Sequence, residues 1–281
     1  MKGTAILASA LCLALSLTGC GAGGADSAAP ADRVQQEPTG PFTVDTPVEA
    51  VQQDGAFGDY GRLLFPVDTG YWSGDTLGEL QLTWYNNIDP EETVEIVNTL
   101  WQRAEAGETV FYDIYTEAEK AQDPDKADTG LFFFKGEAGA PFAVCNAGGG
   151  FAYVGAMQDS FPHALELSKR GYNAFALIYR PGAFGEEDLP RPAAVVLQYT
   201  GHAEYTPEDP PTFACVGESD WIANWRTMER RLQALQDLGI PTEFHHYPGL
   251  PHGFGLGTGT VAEGWLDEAV AFWEAQRAPQ S

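Results

Sequence analysis

From residue 109 onward the chain alternates short apolar runs with longer segments of helical spacing, and this alternation restricts the fold more than any other feature. Residues 109–115 alternate and are β-prone, and residues 130–134 and 142–145 are short apolar runs. Residues 172–179, 193–199, 211–216 and 242–247 are further strand-like segments. Between them, residues 160–170 and 223–238 carry helical spacing and stop at Gly171 and Gly239, the residue type that most readily closes a helix. A last helix covers about residues 262–276. Strands alternating with helices of this length pack as a mostly parallel sheet with helices on both faces, so the expected fold class is α/β. Upstream, residues 42–108 read as a lead-in packed on that core. Its one clear helix starts at Asp89-Pro90-Glu91-Glu92, with a capping side chain, a proline in the first turn and two acids to complement the helix dipole. Ile96, Leu100 and Ala104 give it an apolar face.

The chain has 281 residues and a hydrophobic content of 44% with 20% charged residues, too apolar for a disordered polymer. Its formal charge of -25 repels nucleic acid and anionic lipid alike, so neither is expected as a partner of the folded surface. Glycines and prolines follow no period, which excludes collagen and repeat arrays.

The N-terminus resembles a bacterial lipoprotein signal. Lys2 is followed by an apolar run over residues 5–17 and then by Leu17-Thr18-Gly19-Cys20. The run of about 13 residues is shorter than the ~20 that a spanning helix needs. Residues 1–19 are thus expected to be removed, leaving Cys20 lipidated and anchoring the protein to the outer face of a bacterial cell membrane. Residues 20–41, rich in Gly, Ala, Ser and Pro, are expected to form a flexible tether. Cys145 and Cys215 sit in strands not expected to be neighbours, so both are read as buried free thiols.

Three turns placed just after strands carry groups with chemistry. Gly148-Gly149-Gly150 follows the run at 142–145 and offers the backbone N–H groups that an oxyanion hole requires, although glycine-rich turns there are common for structural reasons. Val216-Gly217-Glu218-Ser219-Asp220 places an acid at a strand's carboxyl end, where helix capping by Asp220 competes as an explanation. Tyr247-Pro248-Gly249-Leu250-Pro251-His252 puts a histidine in a constrained loop after the next strand. His245 and His246 lie on the strand and His163 on a helix, where surface or packing roles are expected, and His202 follows a strand end without an acid placed after the following strand to orient it. An acid after one strand and a histidine after the next is the order of the last two members of a Ser-Asp-His triad.

On these motifs, with Gly171-Tyr172-Asn173-Ala174-Phe175 and Tyr179-Arg180-Pro181, residues 109–281 resemble the α/β-hydrolase superfamily, near its acetyl-xylan and feruloyl esterase-like branch. The resemblance implies an oxyanion loop at Gly148, Gly149 and Gly150, an orienting acid at Asp220 and a general base at His252. It also implies a serine on a G-x-S-x-G elbow, and this sequence contains none. Ser9, Ser16, Ser27 and Ser281 lie in the signal, the tether and the C-terminus; Ser73 lies in an early turn, Ser168 on a helix and Ser219 beside the acid, while Ser160 is expected to cap the helix that it begins. The elbow belongs between Tyr179 and Ala193, where only residues 180–192 are available. A strand-helix-strand unit needs roughly 30 residues or more, so the resemblance implies that a central strand-helix segment of about 50 residues is deleted.

Three functional expectations follow. The chain is an esterase scaffold without hydrolytic activity, or a non-catalytic module that binds a carbohydrate or acyl ligand in the same cleft, with Trp221, Trp225, Trp265 and Tyr205 as candidate stacking groups, or an internally deleted form of an active esterase. A small-molecule ester or carbohydrate is the expected ligand. No metal-ligand spacing or nucleotide fingerprint is present, so no cofactor is implied.

Overall fold

The computed structural model describes residues 40–84, 87–150, 152–180 and 191–277. The signal, Cys20, nearly all of the tether, Phe151 and most of the segment between Tyr179 and Ala193 fall outside the described residues. The lead-in contributes the short helix α1 (Val48–Gln52), the strands β1 (Trp72–Ser73) and β2 (Gln81–Leu82), which pair antiparallel, and the helix α2 (Pro90–Glu105). At its start Asp89 accepts the backbone N–H of Glu92, and Ile96, Val97 and Leu100 are fully buried. Asn98, also buried, exchanges two hydrogen bonds with the backbone of Phe42 and fastens the beginning of the lead-in to α2. Core side chains of the lead-in, such as Phe57, Leu64 and Leu100, share one cluster with Phe132, Phe161 and Phe213 from the later strands and helices.

The α/β layering is as the alternation implies. β3 (Phe111–Tyr112) is followed by α3 (Glu117–Gln122), opened by a capping box between Thr116 and Glu119, and then by β4 (Gly130–Phe134), β5 (Phe142–Asn146), α4 (Ser160–Lys169) and β6 (Asn173–Ile178). These strands form a sheet in the order β3-β4-β6-β5, with β5 and β6 parallel and the other pairs antiparallel. After it come β7 (Val195–Gln198), β8 (Thr212–Gly217), α5 (Trp225–Asp237), β9 (Thr242–Tyr247) and α6 (Trp265–Arg277), with β7-β8-β9 forming an all-parallel sheet. β8 is buried along its whole length, as the middle strand of a covered parallel sheet should be. β5 and β7 are each edge strands, and among the described residues no strand pairs with both.

Some local expectations change. β3 is two residues long instead of spanning 109–115, because Asp113 pairs with Lys120 and the chain turns into α3. Ser160 does not cap α4. The N–H groups at that end are taken up by a preceding turn, through Gln158 and Asp159 to Gly155 O and Phe161 to Ala156 O, so Ser160 is inside the helix with a buried hydroxyl that has no partner. α5 begins at Trp225, capped by Asn224, two residues later than its apolar pattern suggests. Cys145 on β5 and Cys215 on β8 are free thiols in different sheets; Cys215 is fully buried, whereas Cys145 is half-buried, its thiol pushed up to about 12 by desolvation. Among the described residues no helix is long and apolar enough to cross a membrane.

Candidate functional site

The functional groups lie past the carboxyl ends of the parallel strands, where loops of an open α/β sheet converge. The loops after β8 and β9 are stitched together: Glu218 N–H donates to Tyr247 O at 2.9 Å and Ser219 N–H to Leu250 O at 3.0 Å. This close approach requires glycine at 217, where a Cβ would stand 2.0 Å from Leu250 O. The consequence is that Asp220 and His252 meet. Asp220 Oδ2 lies 2.7 Å from His252 Nδ1, and the two side chains are 0% and 8% exposed. The other carboxylate oxygen accepts the N–H groups of Ile222 and Ala223 at 2.8 and 2.7 Å, so turn formation and orientation of the histidine are done by one side chain. A carboxylate facing Nδ1 fixes the proton there and leaves Nε2 as the basic nitrogen.

The glycine loop after β5 has a backbone that favours glycine, with φ of 144° at Gly149 and 57° at Gly150. A Cβ at Gly149 would lie 1.9 Å from Tyr153 O, and one at Gly150 would lie 2.3 Å from the Trp84 ring. Of the three expected oxyanion donors, Gly148 is otherwise engaged: its N–H donates to Asp159 Oδ2 at 3.1 Å.

Asp159, only 4% exposed, is a group that the sequence did not single out. Its other oxygen accepts the hydroxyl of Tyr199 at 2.8 Å, and the Tyr199 ring lies 4.9 Å from both the His252 and the Phe254 rings. Tyr199, directly after β7, is the only non-glycine residue with positive φ, at 37°, among the described residues. Tyr179, directly after β6, donates to Ala147 O at 2.9 Å, beneath the same loop. Burial, with Asp159 nearby, raises the pKa of the Tyr179 hydroxyl, and burial together with Asp159 and Tyr179 pushes that of Tyr153 up to about 12. The signal for these residues was available in principle, since Tyr179 and Tyr199 are the last residues of two strand-like runs.

The remaining candidates disperse. His245 pairs with Glu243, His246 with Glu218 and His202 with Glu204, while the His163 ring packs on Trp265. Trp265 is core, Trp225 stacks on His246, and Trp221 is 77% exposed. Among the described residues none of Ser73, Ser160, Ser168 and Ser219 is bonded to His252: Ser73 lies in β1, Ser160 is buried without a partner, Ser168 donates back to Leu165 O, and Ser219 is exposed. No three His, Cys, Asp or Glu side chains among the described residues converge as a metal site.

No protein-family model and no curated protein matches this chain. Solved structures that align with it include an alpha/beta hydrolase enzyme from a Medee basin deep-sea metagenome library, with 19% identity and a TM-score of 0.45 over 53% of this chain and 92% of that one. An acetyl ester-xyloside bifunctional hydrolase from Caldicellulosiruptor lactoaceticus aligns with 17% identity and a TM-score of 0.46, over 52% and 88% of the two chains. A thermophilic esterase from the Planctomycetes species Thermogutta terrifontis aligns with 17% identity and a TM-score of 0.45, over 56% and 93%.

Proposed function

We propose that this chain is an α/β-hydrolase scaffold of the carboxylic ester hydrolase type, held outside a bacterial cell by a lipid on Cys20, that no longer carries out acyl transfer. The observation that carries this reading is the buried Asp220–His252 pair in a sequence that contains no G-x-S-x-G elbow. The pair supplies an oriented base, and Gly149 and Gly150 supply a loop of positive-φ glycines. Hydrolysis through an acyl intermediate needs a nucleophile in line with both. Loss of a triad nucleophile costs several orders of magnitude in rate. The absence of G-x-S-x-G, and the shortness of the stretch between Tyr179 and Ala193, support a deleted strand-helix segment as the origin of this state.

The test is hydrolysis of p-nitrophenyl acetate by the purified chain and by His252→Ala. Equal rates at the level of solvent are expected. A wild-type rate well above solvent that collapses in His252→Ala would overturn the proposal. Globomycin-sensitive processing and mass spectrometry of the N-terminal peptide check the lipid on Cys20.

A further inference from the structure

The two sheets each end in an open edge. Asn173 N–H on β6 donates to Pro141 O, so in this parallel pairing the odd-numbered residues of β5 carry the bonds to β6. The backbone groups of Phe142, Val144 and Asn146 point the other way, to an edge that no strand among the described residues covers. β7 repeats the pattern. Val195 N–H donates to Pro211 O and Tyr199 N–H to Cys215 O, so Val196 and Gln198 turn their backbone groups away from β8. Folded chains protect such edges with charges, prolines or a covering element. Neither β5 nor β7 contains a charged residue or a proline, and Phe142, Val144 and Val196 are 64%, 50% and 41% exposed. Behind the β5 edge, Val144 is in register with Phe175 and Phe175 with Phe133, one apolar row that stops at the edge. Phe142 also walls a cavity of about 370 Å³ together with Phe133 and Phe175.

We propose that the open edge of β5, facing β7, takes up an extended basic peptide segment of another protein as an added strand. The edge offers what strand addition uses: a row of outward backbone groups for affinity and alternating apolar side chains for selection. An extended segment is the occupant, in place of a second folded copy, because the carboxyl ends of β5 and β7 are tied together. Gly148 N–H and the Tyr199 hydroxyl donate to the same Asp159 carboxylate, so the two donor atoms lie within about 8 Å of one another. A folded copy cannot enter between ends held that close, whereas a single strand needs only ~4.8 Å on either side. Basic character follows from the formal charge of -25, which favours a cationic partner and opposes pairing of two copies. The proposal rests on the sheet edges and not on the loss of acyl transfer, so a hydrolytically active chain would leave it standing.

The experiment is NMR hydrogen exchange of the purified chain with the peptide Ac-VKVKV-amide at low salt. Exchange at the amides of Phe142, Val144, Asn146 and Val196 is expected to slow about tenfold or more. The same peptide N-methylated throughout has no N–H to donate and should protect none of them. The acidic peptide Ac-VEVEV-amide should bind at least about tenfold more weakly. Val144→Pro removes an N–H that β6 does not use, so the variant should fold, as its thermal midpoint checks, and lose the protection. If it does not fold, the N-methylated peptide still decides the matter on the wild-type chain. No protection by Ac-VKVKV-amide, equal protection by its N-methylated form, equal binding of the acidic peptide, or a dimer of the free chain in sedimentation that Val144→Pro abolishes would each overturn the proposal.

Discussion

Gly217 is the residue on which the site depends most directly. Its missing Cβ lets β8 end against Leu250 O, and the same contact brings the Asp220 and His252 loops together. Gly217→Ala should cost roughly 1–3 kcal/mol as an overpacked contact. It should also weaken the downfield NMR signal of the His252 Nδ1 proton, which tests the geometry apart from the stability. Glu92 gives a prediction in pH. Burial, with Asp89 and Glu166 nearby, raises its carboxyl from 4.5 to about 7. The folded chain then binds more protons at this group than the unfolded chain does, so the contribution of Glu92 to stability falls as pH rises from about 4.5 to about 7. Urea midpoints measured across that window should decline more steeply with pH for wild type than for Glu92→Gln. Equal slopes would remove Glu92 as the cause.

Helix α4 shows why an element can be legible while its end is not. Its span and its closure before Gly171 follow from spacing and from one glycine, whose φ is 91°. Its beginning is decided by the turn at 155–159, which carries backbone hydrogen bonds as far as Phe161 N–H and leaves Asp159, not Ser160, at the capping position. Ser160 is therefore a buried hydroxyl without a partner, and Ser160→Ala should be neutral or stabilising by up to about 1 kcal/mol in urea unfolding. The comparison is Asp89→Ala at the start of α2, where a working cap is lost and about 1 kcal/mol should be too. Similar costs for the two substitutions would restore the capping role of Ser160.

At the scale of the molecule, β5 and β7 end near one another through a side chain, Asp159, which receives Gly148 N–H from one sheet and the Tyr199 hydroxyl from the other. Hydrogen bonds to a charged group contribute roughly 1.5–3 kcal/mol, so Tyr199→Phe should destabilise the chain by about that amount. Hydrogen exchange should quicken at β7 amides more than at β4 amides. Uniform quickening would mean that Tyr199 does not join the sheets. The sequence by itself determined the alternation of strand and helix, the helix ends set by Asp89, Gly171 and Gly239, and the loops bearing Gly148, Asp220 and His252, because periodicity, capping and backbone strain act over a few neighbouring residues. Only the tertiary structure decided that Asp220 touches His252, that Asp159 takes the Gly148 N–H, that Ser160 is buried, and that Trp84 reaches Gly150 from the lead-in. Those contacts join residues far apart in the chain, and which side chain fills a given space depends on how separate elements pack, which no local pattern encodes.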